Sequence, residues 1–319
     1  MPAGPAHHPA GTFDRRTLAA REVSVAAVLV ARNEAPTLPA ALVPLVALRG
    51  DGFLDRVVVI DGGSTDGTQE LAAEAGAEVV AAASVLPQFG PVLGKGDSMW
   101  RALAGVDADV FAFLDADLVG RYDELVIGLV GPLLVHPGAR FVKGSFRRIR
   151  SGEEGPRHFD GGRVTELVAR PLLNLLRPDL ARFYQPLGGQ IAGRAVDLRA
   201  LPVLTGYAVE IAMLAEAVDR FGPAAVVESD LGFVVNRERT HEELVPMAQE
   251  VLFGLLRRTE PELPWVPYTR PLPHGGAVSE PFDHTVVVRP PLDSVDQSGQ
   301  RAGVQRPGSI GGLDRFPAE

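Results

Sequence analysis

The 319-residue chain contains no cysteine. Disulfide scaffolds, zinc–thiolate sites, iron–sulfur clusters and cysteine nucleophiles are therefore excluded. The chain also lacks an excess of positive charge, because 31 basic and 40 acidic side chains give a formal net charge of -9. That balance argues against nucleic acid as a partner. No apolar run reaches the ~18 residues that span a bilayer, so we expect no membrane partner and a cytoplasmic enzyme or binding protein.

Short apolar runs alternate with helix-like segments in the first third of the chain. The runs at residues 23–30, 56–60 and 110–114 are typical of strands that are buried on both faces of a parallel sheet. Helical patterns separate these runs at βαβ spacing. The sequence therefore predicts an α/β fold with a Rossmann-like, mostly parallel sheet and flanking helices.

Composition divides the chain into four parts. Residues 1–22 are rich in Pro, Gly, Ala and His and are predicted to form a flexible leader. The βα pattern occupies residues 23–135, and a looser pattern with several helices occupies residues 136–260. Residues 261–319 are rich in Pro and Gly, which predicts a C-terminal extension that is partly disordered.

Two carboxylates directly follow one of the predicted buried strands. Asp115 and Asp117 flank Ala116 after the run VFAFL. Such a pair can share a divalent cation, and oxygen ligands suit Mg²⁺ or Mn²⁺. A pair of acids in a solvated loop is the alternative, and the D-x-D pattern alone recurs by chance. Because ligands of parallel sheets bind beyond the carboxyl ends of the strands, the position favours a functional site.

Two glycine-containing loops offer anion-binding chemistry. Residues 61–66 (DGGSTD) lie between a strand and a helix, and a helix N-terminus favours anions; a plain capped loop explains the pattern equally well. Lys95 stands between two glycines, and we expect it on a flexible loop from which it reaches a phosphate. An ordinary surface lysine is the alternative.

Two further clusters lie in the second half of the chain. Gly162, Arg163 and Thr165 stand together at a predicted helix start, where amides, a guanidinium and a hydroxyl suit a phosphate or carboxylate. Glu210 opens a predicted helix beside glycine and tyrosine, where it can bind sugar hydroxyls or act as a base. Ordinary helix residues and a glutamate that complements the helix dipole are the alternatives.

Taken together, these motifs resemble the glucosyl-3-phosphoglycerate synthase family of GT-A glycosyltransferases and its mannosyl-3-phosphoglycerate synthase relatives. The resemblance runs from about Val23 to Leu256. The segments that carry it are LVARNEAPTL, VVVIDGGSTDGT, VLGKGDSMWRAL, FLDADL, GPLL, FVKGSFRR, GGRVTELVARPLL, QPLGGQ and GYAVEI. The resemblance implies a GT-A fold whose nucleotide-sugar-binding half is 23–135 and whose C-terminal acceptor-binding part is 136–260.

The resemblance implies a retaining transfer of glucose from UDP- or GDP-glucose to the 2-hydroxyl of 3-phosphoglycerate by a homodimer with Mg²⁺ or Mn²⁺. The residues implied on the donor side are Ala31, Arg32, Asn33, Glu34, Ser64, Lys95, Asp115 and Ala116. Asp117 would be the main metal ligand, and Leu187, through its backbone, and Glu210 would line the sugar pocket. The residues implied for the acceptor are Gly162, Arg163 and Thr165.

The chain departs from the family pattern at the stretch that carries a metal-ligating histidine. Residues 236–239 read NRER where the family has H-R-N-R. Asn236 can still offer an oxygen to the metal, and His241 can substitute if the loop is rearranged. Glu238 replaces an asparagine expected at the acceptor, where a carboxylate would repel an anion.

Three other functions stay open on the sequence. Transfer of mannose differs from transfer of glucose by a single hydroxyl contact, and another small anionic acceptor can replace 3-phosphoglycerate. A nucleotide-sugar-binding protein without turnover is consistent with the changes at Asn236 and Glu238. A dinucleotide dehydrogenase fits poorly, because Ala31-Arg32-Asn33-Glu34 stands where a G-x-G-x-x-G motif would follow the first strand.

Overall fold

The structure, a computed structural model, describes residues 5–18, 21–148, 162–236, 239–266, 268–271, 277–279 and 285–295. The strands of these ranges are β1 (Ala6–His8), β2 (Val25–Ala31), β3 (Arg56–Asp61), β4 (Glu78–Ala81), β5 (Val110–Asp115), β6 (Leu118–Val119), β7 (Phe141–Arg148), β8 (Ile191–Arg194), β9 (Val203–Leu204), β10 (Val226–Asn236), β11 (Thr269–Pro271), β12 (Ala277–Ser279) and β13 (Val288–Arg289). The helices are α1 (Arg15–Leu18), α2 (Leu38–Gly50), α3 (Thr68–Glu74), α4 (Gly94–Gly105), α5 (Tyr122–Val135), α6 (Arg170–Leu176), α7 (Ala195–Arg199), α8 (Val209–Phe221) and α9 (His241–Leu256).

One large sheet organises the described part of the chain, with the strand order β1-β10-β7-β8-β5-β2-β3-β4. Neighbouring strands are parallel except at β8, which runs antiparallel to both β5 and β7. The short β6 pairs antiparallel with the end of β10. The carboxyl ends of β2, β3, β5, β7 and β10 therefore meet at one edge of the sheet. The prediction of a mostly parallel α/β sheet is confirmed.

Helices cover both faces of the sheet, because its central strands carry apolar side chains on both faces. Every residue of β2 except Val30 is buried. One apolar core includes side chains of α2 and α5, and a second lies on the other face with side chains of α4 and α8. This two-sided burial explains why the strands are continuous apolar runs and not alternating patterns. No helix in the described ranges has the length and hydropathy needed to cross a bilayer.

Part of the segment predicted to be a flexible leader is a strand of the sheet. β1 pairs parallel with β10, and His7 lies opposite Glu228. The ring of His8 stacks on that of His136 with 5.0 Å between centroids, and Leu18 is buried in the apolar core. For these residues the prediction was wrong, because an edge strand of three residues takes its register from β10 and has no periodicity of its own.

Part of the predicted C-terminal extension also packs on the body. β13 pairs with β9, and the indole nitrogen of Trp100 donates to the carbonyl oxygen of Pro290 at 2.8 Å. Arg289 is buried and forms two hydrogen bonds with the buried carboxylate of Asp97 in α4, at 2.8 and 2.9 Å. Residues 285–295 are thus an integral part of the fold, while residues 296–319 lie outside the described part of the chain.

Candidate active site

A cavity opens at the edge of the sheet where the parallel strands end. The residues that line it are Val30, Ala31, Arg32, Glu34, Gly62, Val92, Gly94, Lys95, Ser98, Asp115, Ala116, Asp117, Arg148, Leu187, Tyr207, Glu210, Arg239 and Met247. The set includes nine of the residues singled out by the sequence: Ala31, Arg32, Glu34, Lys95, Asp115, Ala116, Asp117, Leu187 and Glu210. The topology therefore gathers side chains that are up to 179 positions apart in the sequence.

Lys95 forms the electrostatic centre of this cavity. Its ammonium bonds the carboxylate of Asp115 and lies 2.6 Å from Oε1 of Glu210. Burial alone would lower the pKa of Lys95, but the two carboxylates outweigh it and raise the pKa above its ordinary value. Burial alone would raise the pKa of Asp115, but Lys95 and the amide of Gln190, at 3.0 Å, hold it below its ordinary range. The three groups form one cluster in which a single ammonium is shared by two carboxylates.

The prediction that Lys95 lies on a flexible loop was wrong. Lys95 is in the first turn of α4, which begins at Gly94, and only 17% of its side chain is exposed. Gly96 makes this possible, since a Cβ at that position would lie 2.0 Å from the carbonyl oxygen of Leu204. Asp97 accepts a hydrogen bond from the backbone nitrogen of Leu93 at 2.8 Å and so secures the start of the helix.

Glycine also allows the loop of residues 185–190 to approach the charged cluster. A Cβ on Gly189 would lie 2.2 Å from Oδ1 of Asp115 and 2.5 Å from Nζ of Lys95. A larger residue would therefore push the loop away from the cluster. The neighbouring Leu187 lines the cavity, as the family resemblance implies.

Lys143, which was not selected from the sequence, holds this loop in place through a hydrogen bond. Its fully buried ammonium donates to the carbonyl oxygen of Gly188. Burial lowers its pKa to about 8, and the ammonium of Lys95 adds to the effect, while Glu210 and Asp115 oppose it. Lys95 and Lys143 are the only two lysines in the chain, and every other basic residue among the 31 is arginine. The rarity of lysine in this chain is the sequence signal from which Lys143 could have been selected.

Asp117 faces Arg239 across the cavity. Nη2 of Arg239 lies 3.1 Å from Oδ2 of Asp117. The guanidinium also lies over the ring of Tyr207, 5.8 Å from its centroid. Burial would lower the pKa of Arg239, but the neighbouring Tyr207 and Asp117 raise it. A permanent cation therefore stands at the carboxylate that the sequence assigns to the metal.

The other two predicted metal ligands are Asn236 and His241. The backbone of Asn236 pairs with Leu118, the residue after Asp117, but the side chain of Asn236 lies outside what the structure describes. His241 is the exposed first residue of α9 and is not among the residues that line the cavity. Within the described ranges, no three His, Asp or Glu side chains group in a way that could hold a metal ion.

The predicted donor loop is organised by Asp61. Its carboxylate accepts hydrogen bonds from the hydroxyl of Ser64 and from the backbone nitrogen of Gly63, the latter at 3.0 Å. The hydroxyl of Ser64 in turn accepts from the backbone nitrogen of Asn33 at 2.8 Å. Ser64 does not line the cavity itself. It connects the loops after β2 and β3, both of which carry residues that do.

The predicted acceptor residues lie behind two arginines that line the cavity. Arg163 donates to the carbonyl oxygen of Arg239, and Gly162 lies against the guanidinium of Arg148. Thr165 is buried at the start of a π-helical turn that leads into α6. The structure thus places this segment in contact with residues that line the cavity, but not among those residues. Glu238 lies outside the described residues.

Sequence reasoning missed several residues of the lining. Arg148, Tyr207, Met247 and Ser98 belong to the cavity and were not selected individually. Arg148 was visible only as the last letter of the motif FVKGSFRR, where it follows another arginine. Met247 is a helix residue of α9 without any chemical signal, so only the tertiary structure could place it at the site.

Comparisons with known proteins agree with this architecture. Residues 26–161 match the model of the family described as "Glycosyl transferase family 2". The chain is 38% identical over 296 residues to glucosyl-3-phosphoglycerate synthase from Mycobacterium tuberculosis (strain H37Rv), covering 90% of each chain. It is 42% identical over 240 residues to the enzyme of the same name from Mycolicibacterium smegmatis, covering 75% of this chain and 78% of that one.

Solved structures give the same result. The M. tuberculosis glucosyl-3-phosphoglycerate synthase in complex with Mn²⁺, UDP and glucosyl-3-phosphoglycerate superposes with a TM-score of 0.81 at 36% identity, over 91% of this chain and 99% of that one. Mannosyl-3-phosphoglycerate synthase from Rubrobacter xylanophilus gives a TM-score of 0.80 at 34% identity, over 91% and 97%. Another structure of the M. tuberculosis enzyme holds Mg²⁺ and UDP. The similarity extends over most of each chain, and on this basis the protein belongs to the glucosyl-3-phosphoglycerate synthase family of GT-A glycosyltransferases.

Proposed function

We propose that this protein transfers glucose from UDP-glucose to the 2-hydroxyl of 3-phosphoglycerate with retention of the anomeric configuration. The observation that carries the proposal is the cluster of Lys95, Asp115 and Glu210 beside Asp117, in a cavity at the carboxyl ends of the parallel strands. The related M. tuberculosis enzyme binds UDP-glucose and phosphoglyceric acid in a solved structure. The cavity offers the carboxylates and cations that a diphosphate, a sugar and an anionic acceptor require.

The residues of the cavity fit a divalent cation. Asp117 presents a partly exposed carboxylate to the cavity, and the guanidinium of Arg239 beside it shows that positive charge is favourable there. Mg²⁺ typically binds through one or two carboxylates plus substrate phosphates and keeps several waters, so it needs no cage of three side chains. Asp117 would hold the ion, with the backbone of Asn236 close by. When bound, the ion stabilises the negative charge that develops on the leaving diphosphate.

The chain's own groups explain the remaining steps. Because Glu210 is ion-paired with Lys95, it acts as a hydrogen-bond partner of the sugar hydroxyls and not as a free base or nucleophile. Lys95 fixes both carboxylates in place, and the loop that carries Leu187 closes over this cluster. The family resemblance implies that the leaving phosphate receives the proton of the acceptor hydroxyl, and the pairing of Glu210 with Lys95 is consistent with that role.

Product analysis tests the proposal. The purified protein is incubated with UDP-glucose and 3-phosphoglycerate, with Mg²⁺ or with EDTA, and products are identified by mass spectrometry. We expect glucosyl-3-phosphoglycerate with Mg²⁺ only, and about a 1000-fold lower turnover in Asp117→Asn, since a metal contributes several kcal/mol to the transition state. Calorimetry should show that the same variant loses the Mg²⁺ dependence of UDP binding. Asp123→Asn, which removes a surface partner of Arg121, is the matched control and should behave like the wild type.

Other outcomes would replace the proposal. Turnover with GDP-mannose but not with UDP-glucose would assign the mannosyl reaction, which the similarity to the R. xylanophilus enzyme makes the second candidate. Binding of UDP-glucose without turnover on 3-phosphoglycerate, glycerate or other small acids would identify a binding protein. Consumption of UDP-glucose only with an acid other than 3-phosphoglycerate would retain the transferase and change its acceptor.

A homodimer and a cytoplasmic location are part of the same proposal. The cytoplasmic location follows from the substrates, which are phosphorylated metabolites of that compartment. Light scattering coupled to size-exclusion chromatography measures the mass of the assembly against the 33.9 kDa chain, and a value near the mass of one chain would contradict the dimer. Cell fractionation with an antibody to the protein tests the location.

A further inference from the structure

We propose that Arg148 is a specificity-determining residue that binds one of the anionic groups of the acceptor. The inference rests on the proposed function, which requires a pocket for a small molecule with a carboxylate and a phosphate. None of the sequence motifs singled out this arginine. Its assignment depends on where β7 ends, on which face Arg148 lies, and on its contact with the segment that begins at Gly162.

The end of β7 brings Arg148 into the cavity. Arg147 and Arg148 are the last two residues of the strand, and successive side chains of a strand point to opposite faces. Arg147 bonds Asp230 at 3.2 Å and lies over the ring of Phe233, at 4.3 Å from the centroid. Arg148 lies over the ring of Phe146, at 5.5 Å, and lines the cavity. Each of these adjacent arginines lies over an aromatic ring, but only Arg148 is among the residues that line the cavity.

Glycine at position 162 leaves the space that the guanidinium of Arg148 occupies. A Cβ on Gly162 would lie 2.0 Å from Nη1 of Arg148, and the φ of Gly162 is +83°, a left-handed conformation that favours glycine. Gly162 is also the first residue of the segment whose amides, guanidinium and hydroxyl suit an anion. The close contact therefore places a planar donor group directly beside that segment.

Arg148 differs in position from the other cations that line the cavity. Lys95 lies between Asp115 and Glu210, and Arg239 lies beside Asp117. Arg32 belongs to the other side of the cavity, since its Cβ lies 3.6 Å from the position of a Cβ on Gly62. Arg148 lines the cavity, and its guanidinium contacts the segment at Gly162. A guanidinium presents parallel donors that match a carboxylate or a phosphate in two simultaneous hydrogen bonds.

The experiment compares Arg148→Met and Arg148→Lys with Arg147→Met as the matched control. We expect the KM for 3-phosphoglycerate to rise at least about tenfold in Arg148→Met, because a charge-assisted bidentate contact is lost. Arg148→Lys should lie between the wild type and Arg148→Met, since it keeps the charge and loses the planar fork. The dissociation constant for UDP-glucose with Mg²⁺, measured by calorimetry, should stay within about twofold of the wild type. Arg147→Met should leave both constants near the wild-type values.

Two acceptor analogues identify the group that Arg148 binds. Glycerate lacks the phosphate, and glycerol 3-phosphate lacks the carboxylate. The wild type should use both poorly. If Arg148 binds the phosphate, Arg148→Met should lose its preference for 3-phosphoglycerate over glycerate and keep its preference over glycerol 3-phosphate; the reverse pattern assigns the carboxylate.

The outcomes separate this inference from the proposed function. If the wild type neither binds 3-phosphoglycerate nor transfers a sugar to it, the proposed function fails and the inference falls with it, before any variant is compared. If the wild type is active and Arg148→Met keeps its KM within twofold, only the inference is overturned. A weakened affinity for UDP-glucose with an unchanged KM for the acceptor would also overturn it, because Arg148 would then serve the donor.

Discussion

The two sides of the cavity are built in different ways. The predicted donor side consists of loops that directly follow adjacent parallel strands, as at Ala31, Asp61 and Asp115. Hydrogen bonds within and between these loops hold them in place. The predicted acceptor side, and its connection to the donor side, depend on single side chains whose bonding partners lie far away in the sequence. Arg163 bonds the backbone of residue 239, and Lys95 bonds Glu210, 115 positions away.

This difference explains which parts tolerate change. A strand-end loop keeps its place as long as the sheet is intact, because strand register fixes it. A site held by long-range ion pairs loses its geometry when one partner is removed, since the remaining charge stays partly buried. Variants at these pairs test whether the acceptor side and its connection to the donor side depend on them as strongly as the geometry indicates.

Removal of the Lys95 ammonium is expected to have the largest effect. Lys95→Met leaves the carboxylates of Asp115 and Glu210 close together without their shared cation, and we expect a loss of about 3 kcal/mol in the free energy of unfolding. Turnover should fall with it. Urea unfolding and steady-state kinetics measure the two effects.

A double variant separates charge from packing in this test. Lys95→Met combined with Glu210→Gln removes one orphaned carboxylate and should recover part of the stability without recovering turnover. A Lys95→Met variant that unfolds at the wild-type urea concentration would show that the two sides of the cavity do not depend on this cluster.

The C-terminal segment offers a second test, of intermediate size. Arg289→Met removes the bidentate partner of the fully buried Asp97 at the start of α4. Because Arg101 still lies 3.4 Å from Asp97, we expect a loss of about 2 kcal/mol, less than for a buried charge left without any partner. Arg56→Met is a matched control, because Arg56 also forms a two-pronged pair, with Glu78, but both side chains are partly exposed; its cost should stay below about 1 kcal/mol. Thermal and urea unfolding of both variants give the comparison, and equal losses would mean that burial of the pair at Asp97 is unimportant.

The smallest expected effect is a pH-dependent change in the free energy of unfolding that comes from Lys143. Its pKa is lowered by burial to about 8 in the folded protein, while an unfolded lysine keeps its proton to about pH 10.4. The unfolded chain therefore binds more protons above pH 8, and stability contributed by this group rises with pH in that window. Relative to Lys143→Met, the wild type should gain about 1.4 kcal/mol between pH 7 and 9.

Urea unfolding of both proteins at pH 7, 8 and 9 measures this gain. The charged groups that face Lys143 are Glu210, Lys95, Asp115 and Glu228, and all four are present in both proteins. A stability difference that is constant with pH would contradict the lowered pKa.

The sequence indicated which residues at the strand ends meet at the cavity, because its signals there are local; their roles in binding the donor stay predictions. A buried strand followed at once by Asp115 and Asp117 specifies both the fold and the edge of the sheet where the pair lies. The start of α4 was predicted wrongly, because Gly94 and Gly96 are typical of a loop. Only the folded structure shows that Gly96 is needed for the close approach to the backbone of Leu204. Arg148 was missed for the same reason, because its neighbour Gly162 is close only in the folded chain.

The chain's termini show the same limit. β1 exists only because β10 presents an edge for it, and no periodicity in three residues could indicate that. Arg289 carries no local signal either, and its partner Asp97 lies 192 positions earlier in the chain. Long-range ion pairs and edge strands are products of the tertiary structure, which explains why they could not be predicted from the sequence.

The distribution of lysine gives this protein a built-in spectroscopic label. Both lysines of the chain, Lys95 and Lys143, lie in or beside the cavity, and every other basic residue among the 31 is arginine. A sample grown with ¹⁵N-labelled lysine would therefore give two backbone signals, each from the immediate surroundings of the cavity. For the same reason, reagents that acylate or glycate side-chain amines can reach only Lys95 among the lysines, since 17% of its side chain is exposed and Lys143 is fully buried.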